Sequence, residues 1–129
     1  MKYLAKIIAS DLEGLRIISA CSSGAKVKVS DIKYLPSNKV FLLSIERIKV
    51  ENENEDKKVN SILRFDFVEK SRSKNINQSD QEAVLELVGI DYLKNNDVYE
   101  INLIFNNNAH IALTTETIEA RLEDQSETK

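Results

Sequence analysis

Apolar and polar residues alternate along most of this chain. Val27 and Val29 interleave with Lys26, Lys28 and Ser30, Leu63, Phe65 and Phe67 repeat the period of two, and Tyr99, Ile101, Leu103 and Phe105 repeat it again. A period of two sends successive side chains to opposite faces of a strand, so each run predicts a half-buried β-strand. Asn106, Asn107 and Asn108 then supply residues that tolerate positive φ, as a tight hairpin requires. Ala109, Ile111 and Leu113 continue on the return strand. Residues 3–9 read as a short opening strand and Ile32 and Tyr34 as a continuation before the turn at 35–39; in 83–93, Val88, Ile90 and Tyr92 alternate as in a further strand, while Val84, Leu87 and Val88 also fit one face of a helix.

Three stretches depart from this pattern. In 10–24, Leu12, Leu15, Ile18 and Cys21 recur at helical spacing. Ser10 with Glu13 makes a capping box at the start, and Gly24 suits the left-handed residue that ends a helix. In 40–50 the apolar parity slips by one, from Phe41, Leu43 and Ile45 to Ile48 and Val50, which predicts a β-bulge at Glu46–Arg47. In 116–124, Ile118 and Leu122 stand four apart with Glu116, Glu119, Arg121, Glu123 and Asp124 around them. That spacing predicts a closing helix, dry on one side, with its carboxylates in water.

The expected fold is α+β: a mostly antiparallel rolled sheet or partial barrel of six to seven strands, with an early helix and a C-terminal helix. By analogy of architecture it is of the pleckstrin-homology type. Residues 1–129 read as a single domain, with a mobile loop at 51–58 and a disordered tail at 125–129.

Composition adds exclusions. The chain has 42% apolar and 30% charged residues and one Cys, so an internal disulfide is impossible and a cytoplasmic setting is expected. No apolar run approaches the roughly 20 residues of a spanning helix, and no membrane association is expected. Net charge is −3 and unevenly placed: residues 1–74 sum to +5 and 75–129 to −8. One Cys and one His cannot build a zinc site. The three glycines form no phosphate loop. His110 lies beside the hairpin tip with no nucleophile elbow in the sequence to serve it. No cofactor and no catalytic residue is implied. What survives is basic: Lys70, Arg72 and Lys74 share parity, so an extended backbone points all three the same way, and Lys26 and Lys28 extend the stripe.

Several segments, in order and over nearly the whole length, resemble a bacterial family of small proteins, the domain of unknown function numbered 2948. They are "ISA" (18–20), "VKVSDIKYLP" (27–36), "RFDFV" with "SRSKNI" after it, "AVLELVGI" (83–90), "INLIF" (101–105) and "IEARLED" (118–124). The resemblance implies no activity. It singles out the charged positions Asp31, Arg47, Arg72, Arg121, Glu123 and Asp124 as a binding surface or a salt-bridge network.

Asp31, Arg47, Lys70, Arg72, Lys74 and Arg121 are therefore the candidate binding residues. The first expectation is a non-catalytic binding or protein-interaction domain, with an unknown protein partner or a second copy. A second is an enzyme or binder acting on an anionic small molecule, which requires Arg47, Arg72 and Arg121 to converge on one pocket with a carboxylate. Nucleic-acid contact through 70–74 is the weakest reading, because no aromatic side chain interrupts 68–91.

Overall fold

A computed structural model describes residues 5–52 and 55–128, without the side chains of 49–56 and 126–128. Ten strands and one α-helix occur among the described residues. In chain order they are β1 (Lys6–Ala9), α1 (Leu12–Ser22), β2 (Lys26–Lys28), β3 (Ile32–Leu35), β4 (Val40–Asn52), β5 (Glu55–Phe65), β6 (Val68–Lys74), β7 (Val84–Asn95), β8 (Val98–Phe105), β9 (His110–Thr115) and β10 (Ala120–Thr128). All pair antiparallel in one continuous, unclosed sheet ordered β1-β10-β5-β4-β2-β7-β8-β9-β6, with β3 also on β4. The sheet curls: the Val68 N–H at the start of β6 donates to the Lys39 carbonyl just before β4, at 2.8 Å. The Tyr34 hydroxyl donates to the Val68 carbonyl at 2.9 Å.

The core fills the inside of that curl. Phe41, Leu43 and Ile45 of β4 and Leu63 and Phe65 of β5 meet Leu87 of β7, Ile101, Leu103 and Phe105 of β8, and Ile111 and Leu113 of β9. Alternate residues do this because the strand period places them all on one face. α1 adds Leu15 and Ile18 and touches β7, β1 and β10. Ser19 Oγ accepts from the Ile90 N–H at 2.9 Å, tying the helix to β7. Gly14 lets the helix lie against β1, since a Cβ there would stand 2.9 Å from the Ala9 Cβ.

Several expectations are corrected. The helix is capped by Asp11, whose carboxylate accepts from the Gly14 N–H at 2.8 Å, and not by Ser10. Gly24 does hold a positive φ, of 85°, after the helix. The sheet has ten strands rather than six to seven. The expected loop at 51–58 is strand to Asn52 and again from Glu55, with 53–54 outside the described residues. The expected tail at 125–129 continues β10 to Thr128, and residue 129 lies outside them.

Two corrections matter most. No C-terminal helix forms over 114–124, which removes the terminal helix of a pleckstrin-homology-type arrangement. Ile118, Ala120, Leu122 and Asp124 are buried in strict alternation, and β10 pairs with β5 on one side and β1 on the other. Both sides of its main chain thus find ladder partners that a helix at this position would leave open. Nor does β4 bulge at Glu46–Arg47. It pairs residue for residue with β5 from Phe41 to Val50, and its register shifts only between Val50 and Asn52. The apolar slip has another cause. Arg47 takes the inward position that follows Ile45, and Ile48 points outward, 59% exposed.

Candidate functional site

Arg47 can occupy an inward position because Asp124 meets it there. β5 lies between β4 and β10, and all three contribute inward side chains. Arg47 Nε donates to Asp124 Oδ1 at 3.1 Å, and Nη2 donates to Oδ1 and Oδ2 at 2.9 Å each. Between them on β5, Ser61 Oγ donates to Oδ1 at 2.7 Å and accepts from Arg47 Nε at 3.2 Å. The Ala5 N–H donates to Oδ2 at 2.8 Å, and the Asp124 N–H returns a bond to the Ala5 carbonyl at 2.9 Å. The carboxylate side chain has no exposed surface and the guanidinium side chain 7%.

Burial alone would raise the Asp124 carboxyl. The hydrogen bonds from Ser61, Ala5 and Arg47, together with the Arg47 charge, overcome it and hold the group below its usual value. Both oxygens are already occupied by donors fixed on β4, on β5 and on the flank of β1. A carboxylate so held is poor at taking up a proton, and the arrangement works as a clamp joining β1, β4, β5 and β10 rather than as an acid or base. The expectation that the charges of 116–124 all face water is therefore wrong at Asp124. Glu119 and Arg121 do lie on the other side of β10.

The other candidate residues are placed elsewhere. Arg121 stands on the outer side of β10, directly opposite Arg64 of β5, and Arg64 is drawn aside to Asp66 at 2.9 Å. Asp31 ends a 3₁₀ turn (Val29–Asp31) and is exposed. It lines a groove of about 700 Å³ together with Lys26, Lys28, Glu46, Asn60 and Gln125. The two lysines do not extend the stripe of 70–74, since β2 lies between β4 and β7 and β6 ends the sheet; they are engaged there instead, Lys26 with Glu86 at 2.8 Å and Lys28 with Glu82 at 3.4 Å. Arg47, Arg72 and Arg121 thus face three different surroundings: the core, the outer side of β6 and the outer side of β10. They do not converge.

Lys70, Arg72 and Lys74 do come together. All three are exposed on β6, opposite Thr114, Ala112 and His110 of β9 in turn. One residue, Glu69, is inserted in the register between Val68 and Lys70. Its carboxylate is turned to Lys39 at 2.9 Å, a bond that raises the Lys39 pKa. Arg72 reaches Glu100 of β8 at 2.8 Å, while neither Lys70 nor Lys74 has an ion pair among the described residues. Inward from Lys74 the face dips into a hollow of about 670 Å³, whose lining includes His110, Asn102 and Asp91. His110 Nε2 lies 2.9 Å from Asn102 Oδ1. Cys21 is half-buried against the core. No group of three or more His, Cys, Asp or Glu arranged to hold a metal occurs among the described residues.

The sequence pattern of a known family matches residues 5–129. The chain belongs to the DUF2948 family, proteins of unknown function. The match to this family covers β1 through β10, so the Arg47–Asp124 clamp and the β6 row both fall inside it. No curated protein and no solved structure matches the chain. No helix among the described residues is long and apolar enough to cross a membrane.

Sequence reasoning found the β6 row from parity alone. The family resemblance named Arg47 and Asp124 for a binding surface or a salt-bridge network, and the two do form a salt bridge; periodicity misplaced Asp124 on the wet side of a helix, although the signal was present. Ile118, Ala120, Leu122 and Asp124 alternate once Ala120 counts as apolar, and the parity slip in β4 leaves Arg47 at the vacancy.

Proposed function

We propose that this DUF2948 protein is a non-catalytic interaction domain that binds an anionic partner through the outer side of β6. The observation that carries this reading is the row of Lys70, Arg72 and Lys74, exposed and in phase on one strand. Lone surface charges are ordinary, but three aligned cations act on a ligand together, and their attraction reaches about 8–10 Å at physiological salt. Neighbouring acids do little to cancel them. Glu69 is engaged by Lys39, and the Arg72–Glu100 pair lies at the surface, where such pairs contribute about 0–1 kcal/mol and exchange readily.

The test is binding of fluorescent polyglutamate, followed by anisotropy at low and at physiological ionic strength. Wild-type protein binds and weakens as salt rises. A Lys70→Glu, Arg72→Glu, Lys74→Glu triple variant loses the binding while its urea midpoint stays near wild type, since exposed substitutions shift stability by only about 0.5 kcal/mol. Unchanged binding in the triple variant overturns the reading.

A further inference from the structure

We infer that the partner of this row is an extended acidic segment that adds to the sheet as a strand on the open edge of β6. The inference rests on the β6 reading above and concerns how the anion is presented. β6 ends the strand order, with β9 on one side and no strand on the other among the described residues. One main-chain bond leaves that free side, from the Val68 N–H to the Lys39 carbonyl, and it lies at the very start. Past the inserted Glu69 no main-chain bond leaves that side as far as Lys74 among the described residues, and the one side-chain bond there, from Gln78 Nε2 to Ser73 Oγ at 3.2 Å, leaves the main chain free. There Asn75 turns with φ 60°, and its side chain donates to the Asn108 carbonyl at 2.9 Å. The open edge, 69–74, spans roughly 20 Å at about 3.3 Å per residue, the length of an ordinary strand.

An incoming strand bonds to the outward N–H and C=O groups of β6, and its alternate side chains come to lie beside Lys70, Arg72 and Lys74. Directly opposed residues on neighbouring strands have Cβ atoms about 5 Å apart, close enough for charges of opposite sign to stabilise the pairing. The partner therefore carries Asp or Glu at every second position over about five residues, the reach of the row. The same row selects against a second copy of β6. Edge-to-edge pairing of two copies places these cations on one face against their own counterparts, a repulsion that protects sheet edges from self-association. At the other end of the sheet, β1 offers four residues and a single cation, Lys6. Main-chain bonds supply affinity in this mode, and the spacing of side chains supplies specificity.

Three seven-residue peptides with Glu at alternate positions test this, read by anisotropy and by amide hydrogen exchange. One is unmodified. Two are N-methylated at alternate amides, one in each phase, so that only one phase blocks the amides facing β6. Strand addition predicts that the unmodified peptide binds and that residues 70–74 gain exchange protection. It also predicts that one methylated phase loses about tenfold or more in affinity, about 1.4 kcal/mol, while the other does not. If both phases bind as well as the unmodified peptide, strand addition is overturned and recognition by the outer face stands. If the unmodified peptide binds the charge-reversed triple variant equally well, or does not bind at all while a single-stranded oligonucleotide does, the β6 reading and this inference both fall.

Discussion

Arg47 on β4 and Asp124 on β10 are joined across the intervening β5, with Ser61 of that strand bonded to both. Two charges inside an apolar curl are stable only because each has the other and the remaining lone pairs are satisfied. Ser61 is the smallest element of this network and can be removed without leaving a charge unpaired. Ser61→Ala is expected to lower the unfolding free energy by about 1–2 kcal/mol, the cost of depriving a buried carboxylate of one donor. Urea denaturation reads it directly, and a loss within error of zero would show that Ser61 is a bystander.

Acid lability follows from the same group. The folded-state pKa of Asp124 is lowered from 3.8, so in the acid range the unfolded state takes up its proton first. Stability from this group is present in full above the unfolded value and is lost as pH falls through the folded one. The urea midpoint is therefore expected to hold steady above about pH 5 and to fall progressively below 3.8. Asp124→Asn, already destabilised at neutral pH, is expected to show a shallower acid slope. An equal slope in the two proteins would contradict the assignment.

Thr115 presents the opposite case. Its side chain is fully buried, and its hydroxyl oxygen finds no hydrogen-bond partner among the described residues. Burying an unpaired hydroxyl costs about 1–3 kcal/mol, and valine has nearly the same shape without it. Thr115→Val is expected to raise the thermal midpoint. A drop would mean that the hydroxyl is bonded in solution.

The contact between α1 and β1 admits no side chain at Gly14. Alanine favours a helix by up to about 1 kcal/mol over glycine. Here, however, its Cβ would press on the Ala9 Cβ at 2.9 Å and its Cα at 3.0 Å, and main chain has to move. Gly14→Ala is expected to destabilise by about 1–3 kcal/mol despite its better propensity, an inversion that urea unfolding can detect.

Most of the strands were legible in the sequence because burial on one face leaves a period-two trace. Val27, Leu63–Phe65 and Ile101–Phe105 carry it plainly, and the β8–β9 hairpin follows with Asn107 and Asn108 at φ 59° and 60°. The two principal misreadings share one origin. A charged residue buried beside its counter-charge looks, in one dimension, like a polar residue in water. Arg47 therefore read as a break in β4, and Asp124 as the wet side of a helix. Ile118 and Leu122, four apart, fit a helix and a strand equally well. The partners that decide between them, Ser61 and Arg47, are 63 and 77 residues away along the chain. The β6 row was legible because three cations in phase need no distant partner to be recognised as one face.

Of the charged residues singled out from the sequence, Arg47 with Asp124 thus forms an internal clamp and Lys70, Arg72 and Lys74 an external row on β6, while Asp31 and Arg121 stand apart from both. A double-mutant cycle on the clamp, measured as unfolding free energy in urea, tests this division most directly. Arg47→Met and Asp124→Leu are each expected to cost about 3–5 kcal/mol, because each strands a buried charge. The double variant is expected to lose far less than the sum, with a coupling of about 1.5 kcal/mol or more. Losses that add to within about 0.5 kcal/mol would mean that the two side chains do not act as a pair.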